Sequence, residues 1–283
     1  MNRWKIGDVT ITRVVEMETT SNATFVLKDG SPENIRTVPW LRPHFANPDG
    51  KVIMSVHAFV IESPGHRMVV DTCIGNDKRR AFPGWNMLQM PFLADLEKAG
   101  FARDSIDRVL CTHLHVDHVG WNTTLVAGRW TPTFPRARYL IGRTEFEYWR
   151  SRQEDDDHGR AFADSVAPVF DAGLVDLVDV DHRICEEVDL VPTLGHTPGH
   201  VSVRIASRRE HALITGDFLH HPCQMARLDW CSTADHDPER AIRTRRDVLA
   251  QLSGTPTLLI GTHFATPTAG RVVREGDAFR LAT

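Results

Sequence analysis

Positions 113 to 118 read His113-Leu114-His115-Val116-Asp117-His118, three imidazoles and a carboxylate in six residues, directly after the apolar run Val109-Leu110-Cys111. On an extended segment His113 and His115 project to the same face, so both rings can meet one metal ion. Asp117 and His118 follow where the chain turns and can aim at a second. Three more ligand-type residues stand downstream at the ends of expected strands, each shortly after a small residue that permits a tight loop. They are His196 in Leu194-Gly195-His196, Asp217 in Thr215-Gly216-Asp217 and His263 in Gly261-Thr262-His263. Neutral imidazoles with carboxylates favour divalent zinc and also accommodate manganese, iron or cobalt. Two such cations close together lower the pKa of a bridging water and give a hydroxide nucleophile at neutral pH. Asp117 is expected to accept that water's proton as well as to bind metal.

The elements that must position these residues can be read from periodicity. Alternation from Val9 to Val15 predicts a first strand, and Val52 to Ile61 with Met68 to Asp71 predicts a hairpin across Pro64-Gly65. Leu88 to Ala99 has helical spacing and stops at Gly100, and Asp107 to Thr112 predicts the strand that carries the histidine cluster beyond its end. A helix is expected from Thr144 to Arg150. The polar run Glu154-Asp155-Asp156-Asp157-His158 then reads as a solvated loop near the middle of the chain. Strands are expected at Val188 to Val191, Val201 to Ile205, Ala212 to Thr215 and Thr257 to Ile260, with a helix from Pro238 to Leu252 capped by Asp237. Strands with interleaved helices in both halves predict a layered α/β arrangement, two sheets packed together with helices covering the outsides. Ser31 to Gly50 holds Pro32, Pro39, Pro43 and Pro48 with Trp40 and Phe45. It reads as too proline-rich for a helix, and as a lid or an oligomer contact, for instance in a homodimer.

At 283 residues and 41% hydrophobic, the chain fits one domain over 1–283. A net charge of −4 without a long basic block leaves no electrostatic footprint for nucleic acid. No stretch approaches a membrane span, and the N-terminus turns polar before a secretory signal could form, so no membrane partner and a cytoplasmic location are expected. The five cysteines lack a Cys-x-x-Cys pair, which argues against a disulfide framework or a thiolate zinc knuckle.

With this ligand order the chain resembles the metallo-β-lactamase superfamily of hydrolases over roughly residues 52 to 264. The resemblance implies an αββα sandwich, two facing mixed sheets with helices on the outside. It further implies that His113, His115 and His196 hold one metal, that Asp117, His118 and His263 hold the other, and that Asp217 bridges both. It makes Asp71 the acidic residue behind the ligands, and leaves His200 a supporting role. An aspartate at the bridging position departs from the antibiotic-hydrolysing members. Thr215 to Pro222 and Gly120-Trp121-Asn122 are similar to the branch of N-acyl homoserine lactonases and methyl parathion hydrolase-like enzymes. Lactonases of that branch commonly hold the substrate carbonyl with a tyrosine near the bridging aspartate. Here Tyr139 and Tyr148 are the only tyrosines and neither is placed for that, so the choice among ester, lactone and phosphotriester stays open. His220, just past Asp217, is the candidate for a substrate or proton-transfer role.

The implied function is a binuclear metal-dependent hydrolase whose bridging hydroxide attacks the ester or lactone carbonyl of a small substrate with an apolar part. Phe82, Trp85 and Met87, with Trp40, Phe45, Trp121 and Trp230, are candidates for an apolar mouth. The alternatives are a phosphotriesterase or phosphodiesterase of the same fold, or a non-catalytic metal-binding protein. Remaining histidines such as His44, His57 and His158 read as surface or packing residues.

Overall fold

The computed structural model describes residues 2–152 and 156–283. The chain opens with β1 (Arg3–Ile6) and β2 (Val9–Ser21), followed by a short helix α1 (Pro32–Arg36). Next come β3 (Val52–Ser63), β4 (His66–Val70), α2 (Phe92–Lys98), β5 (Arg108–Cys111), a small hairpin of β6 (Thr123–Val126) and β7 (Arg129–Pro132), and β8 (Arg138–Gly142). Helices α3 (Arg143–Ser151), α4 (Asp157–Ala161) and α5 (Ala167–Asp171), the last two joined by a π-helical turn at Phe162–Val166, lead to β9 (Val175–Val178). The remainder holds β10 (Val188–Pro192), β11 (Val201–Ser207), β12 (Glu210–Ile214), α6 (Cys223–Ala226), α7 (Pro238–Leu252), β13 (Leu258–Ile260), β14 (Ala269–Glu275) and β15 (Ala278–Ala282).

A seven-stranded sheet has the order β1-β2-β3-β4-β5-β8-β9, with β4, β5, β8 and β9 running parallel. A six-stranded sheet has the order β10-β11-β12-β13-β14-β15, where only β12 and β13 are parallel. Both are mixed, and the architecture is α/β. The chain forms two compact units, residues 1–17 with 56–180 and residues 18–55 with 181–283. The first unit's core gathers Val60, Val69, Phe92, Val109, Phe134 and Ile141. The second unit's core gathers Leu41, Phe45, Leu213, Phe218, Leu249 and Phe264.

The reasons are local. Val109-Leu110-Cys111 is buried without alternation because parallel strands are covered on both faces. In α7 the Asp237 side chain accepts from Arg240 N at 3.0 Å, Pro238 opens the first turn, and Ala241, Arg245 and Leu249 form one buried stripe. The predicted helix over 88–99 begins only at Phe92, because Pro91 biases the residue before it away from helical geometry.

Two expectations are corrected. Ser31–Gly50 is partly helical: Pro32 occupies the first turn of α1, where a missing N–H costs nothing, and Ser31 Oγ accepts from Asn34 N at 3.3 Å. Its Ile35, Val38, Leu41 and Phe45 are buried in the second unit's core. Of the acidic run, Glu154 and Asp155 lie outside the described residues, but Asp156 and Asp157 are not merely solvated. Asp156 caps α4 at Gly159 N (2.8 Å), and Asp157 accepts from Ala81 N (2.7 Å) and Phe82 N (3.4 Å). All five cysteines are free thiols, and burial pushes Cys111 up to about 12. No helix among the described residues is long and apolar enough to cross a membrane.

Candidate metal centre

In the first unit the histidine motif occupies the loop beyond β5, fixed from behind by the end of β4. Asp71, in left-handed conformation (φ 54°), accepts from Thr112 N and Thr112 Oγ1, both at 2.8 Å. Its Oδ2 lies 2.9 Å from His118 Nδ1. A buried carboxylate there takes the Nδ1 proton and leaves the Nε2 lone pair for a metal. Thr112 Oγ1 is 3.1 Å from His113 Nδ1. The His113 ring centroid is 4.0 Å from that of His118 and 4.6 Å from that of His115, and Asp117 Oδ1 is 3.6 Å from His118 Nε2.

Two buried carboxylates hold the surrounding backbone. Glu145 accepts from Leu114 N (3.1 Å) and Trp149 Nε1 (2.6 Å), bracing the motif itself. Glu16 accepts from Ile74 N (2.8 Å), Gly75 N (3.1 Å) and Trp121 Nε1 (2.6 Å). Burial outweighs these bonds and raises the Glu16 pKa.

In the second unit three strand ends present His196, Asp217 and His263. His196 Nδ1 lies 2.8 Å from Asp235 Oδ1, and Asp235 also accepts from Ser232 N at 2.8 Å. Burial raises the Asp235 pKa. His263 Nδ1 donates to the Ser55 carbonyl at 3.0 Å. The Asp217 carboxylate is divided between neighbours: Oδ2 lies 3.6 Å from His196 Nε2 and 3.3 Å from His220 Nε2, while Oδ1 lies 3.2 Å from His263 Nε2. His196, Asp217 and His220 each offer a ligand atom within 4.8 Å of the others. His200 presents the loop: its Nε2 accepts from Asp217 N at 2.7 Å and its Nδ1 lies 2.9 Å from Thr193 O. His221 turns into the core, with Nε2 donating to Phe45 O (2.8 Å) and Nδ1 accepting from Cys223 N (3.1 Å), and burial lowers its pKa to about 4. The buried Arg245 guanidinium donates to the carbonyls of Phe218, Leu228 and Trp230, fixing the chain after Asp217.

The structure thus brings His113, His115, Asp117 and His118 together in one unit, and His196, Asp217, His220 and His263 in the other. Sequence reasoning missed Asp235, Glu145 and Glu16, whose partners are mostly distant and which carry no spacing signal. His158, read as a surface or packing residue, packs its ring 4.5 Å from that of His115. Tyr139 is spent on structure, donating to Asn122 O at 3.1 Å in the core.

A mixed α/β fold with clustered His and Asp side chains beyond its strand ends fits the class of metal-dependent hydrolases. The sequence profile of the metallo-beta-lactamase superfamily matches residues 53–273, and the chain belongs to that superfamily of hydrolases and carries its fold. It is similar to N-acyl homoserine lactonase from Bacillus thuringiensis, 26% identical over 119 residues, 42% of this chain and 40% of that protein. The Bacillus cereus N-acyl homoserine lactonase is 25% identical over 114 residues, 40% of this chain and 38% of its own. The matched stretch is therefore less than half the length of these relatives. Among solved structures, the hydrolase AbOPH has a TM-score of 0.81 at 21% identity, covering 99% of this chain and 95% of its own. AidC, a dizinc quorum-quenching lactonase solved with a bound product, has a TM-score of 0.78 at 19% identity, covering 99% and 96%. At these identities the two structures speak to the fold.

Proposed function

We propose that the chain is a binuclear metal-dependent hydrolase that cleaves an ester or lactone of a small, partly apolar substrate. The observation that carries this reading is the surroundings of Asp217. The Nδ1 atoms of His196 and His263 donate to Asp235 and to the Ser55 carbonyl, so each Nε2 turns a lone pair toward a different oxygen of one carboxylate, at 3.6 and 3.2 Å. Lone pairs facing each other at such distances repel, and a cation beside each oxygen converts the repulsion into coordination. On this reading His113, His115 and His196 would hold one ion, Asp117, His118 and His263 would hold the other, and Asp217 would serve both. The nitrogen and oxygen donors suit zinc, and would also take manganese, iron or cobalt. Bound there, two divalent ions would lower the pKa of a shared water and polarise the substrate carbonyl.

The chain's own residues do the rest. Asp117 accepts and orients the water proton in addition to ligation. Asp71 and Asp235 keep two imidazoles in the ligating tautomer. His220, with Nε2 3.3 Å from Asp217 and a buried Nδ1 without a partner among the described residues, is placed to hold the substrate carbonyl or protonate the leaving oxygen. The lactonase relatives favour a lactone, and the superfamily profile draws on segments of both units, which supports reading 1–283 as one domain.

Metal analysis of the purified protein, coupled to a panel of aryl esters, acyl lactones, phosphotriesters and phosphodiesters, tests this. Expected are two divalent ions per chain and ester or lactone turnover that chelation abolishes and zinc restores. Asp217→Asn should lower metal content and cut turnover by about a hundredfold or more. Turnover of phosphodiesters alone, or an Asp217→Asn variant with both metals and full activity, would overturn the reading.

A further inference from the structure

In the first unit a groove of about 680 Å³ runs between helix α2 and the β6–β7 hairpin, and none of the residues proposed to hold metal lines it. Leu93, Glu97 and Phe101 line its α2 side, and Val126 and Pro132 its hairpin side. The hairpin pairs with neither larger sheet, and alternation along its strands gives it two faces. In register Leu125 stands opposite Trp130, and Val126 opposite Arg129. Lys78 Nζ lies 3.8 Å from the Trp130 ring centroid, which ties that face of the hairpin to the unit behind it. The alternate positions Thr124, Val126 and Thr131 line the groove instead. Val126 is 55% exposed, the most exposed large apolar side chain among the described residues. Charge divides across the groove. On the α2 side Lys98 is taken by Asp95 at 2.9 Å, but Glu97, Asp104 and Arg103 make no ion pair among the described residues, leaving two carboxylates and one guanidinium. On the hairpin side Arg129 and Arg136, the latter next to the lining Pro135, are unpaired as well. An apolar side chain kept in water beside a groove is the usual mark of an interaction surface.

We propose that this groove is the contact face of a homodimer. A two-fold axis running along the groove sets the α2 side of one copy against the hairpin side of the other. Val126 of each copy then enters the groove of the other, against Leu93 and Phe101, while Arg129 and Arg136 face Glu97 and Asp104. The opposite arrangement, hairpin against hairpin, would bring four guanidiniums together and is disfavoured by charge. The occupant is a second copy because the two walls differ in sign. A partner of one sign would satisfy one wall and be repelled by the other, whereas this chain carries both signs at the matching places. The contact lies within the first unit and stands independently of the hydrolase reading.

Sedimentation equilibrium of the full chain should follow a monomer–dimer equilibrium with a Kd of about 1–100 μM. Raising sodium chloride from about 0.05 to 1 M should weaken it about threefold or more, because the facing charges are screened. Amide hydrogen exchange should slow with rising protein concentration at 93–104 and 123–132. These two measurements use the parent protein alone, so they decide even where a variant fails to fold. Val126→Asp should raise Kd by about tenfold or more. The paired reversals Glu97→Arg with Asp104→Arg, and Arg129→Glu with Arg136→Glu, should each abolish the dimer while keeping the parent circular dichroism. Mixed together, the two reversed proteins should associate, because each supplies the sign that the other now lacks. A parent protein that stays monomeric, protection at a different face, a dimer unmoved by Val126→Asp, or a mixture that remains monomeric would each overturn the proposal. None of these readouts uses turnover or bound metal, so the hydrolase reading stands or falls separately.

Discussion

The imidazoles proposed as ligands lean on different acceptors: a carboxylate for His118 and for His196, a main-chain carbonyl for His263, a hydroxyl for His113. A carboxylate acceptor raises imidazole basicity most, so removing its charge should be felt at the metal. Asp71→Asn and Asp235→Asn are each expected to weaken zinc binding by about 10–100-fold, measured by competition with a chromophoric chelator, with unchanged circular dichroism. His221 governs acid stability instead. Its folded pKa of about 4 lies below the ordinary 6.5, so the unfolded chain binds a proton that the folded chain refuses. Its contribution is intact above pH 6.5 and is lost as pH falls toward 4, about 3 kcal/mol over the window. Urea unfolding of metal-free protein at pH 7 and pH 5 should show this loss, and His221→Asn should flatten it. The residues proposed as ligands were legible because the motif packs four of them into six positions. Asp235 was not, because its pairing with His196 spans 39 residues and follows no period.

Among the elements, the turn after β4 is the most constrained. A Cβ on Gly120 would fall on the Ile74 carbonyl, and Glu16 satisfies Ile74 N, Gly75 N and the Trp121 indole at once. Gly120→Ala should therefore cost about 2 kcal/mol or more through forced backbone shifts. Glu16→Ala should cost about 3 kcal/mol by leaving buried donors unmatched, with Glu16→Gln milder because it keeps an acceptor of the same shape. Denaturant midpoints would measure both, and a Glu16→Ala variant as stable as the parent would remove this role. Helix α7 was readable to its ends because cap, proline and apolar stripe agree. Helices α4 and α5 were not, because α4 opens at Asp157, an acid whose partners lie some 75 residues earlier, at Ala81 and Phe82. The closing hairpin of β14 and β15 escaped for another reason: Arg271, Arg274 and Glu275 interrupt β14 and only Phe279 and Leu281 are buried in β15, leaving little apolar signal.

For the molecule as a whole, the proposed ligand sets come from segments far apart in sequence, so metal should act as a folding ligand. Loading at a hundredfold excess of free metal over Kd adds about 2.7 kcal/mol per ion. Chelation should lower the melting temperature and zinc should restore it, read by scanning calorimetry; an unchanged midpoint would mean the two sets share no ion in the folded chain. The loop between β4 and α2 has a further consequence. Asn76 and Met90 clasp its two ends, Asp164 grips Lys78 and Arg80 just inside, and the tip around Phe82–Met87 is left comparatively open. Substitutions of the exposed Phe82 and Met87 side chains should leave the scaffold's stability nearly unchanged, whereas Trp85, packed on the first unit's core, and Asn86, which accepts from Arg80 N at 3.0 Å, are part of it. Change is therefore cheap at the two exposed side chains and costly at the residues between them, so variation in this loop should concentrate at Phe82 and Met87.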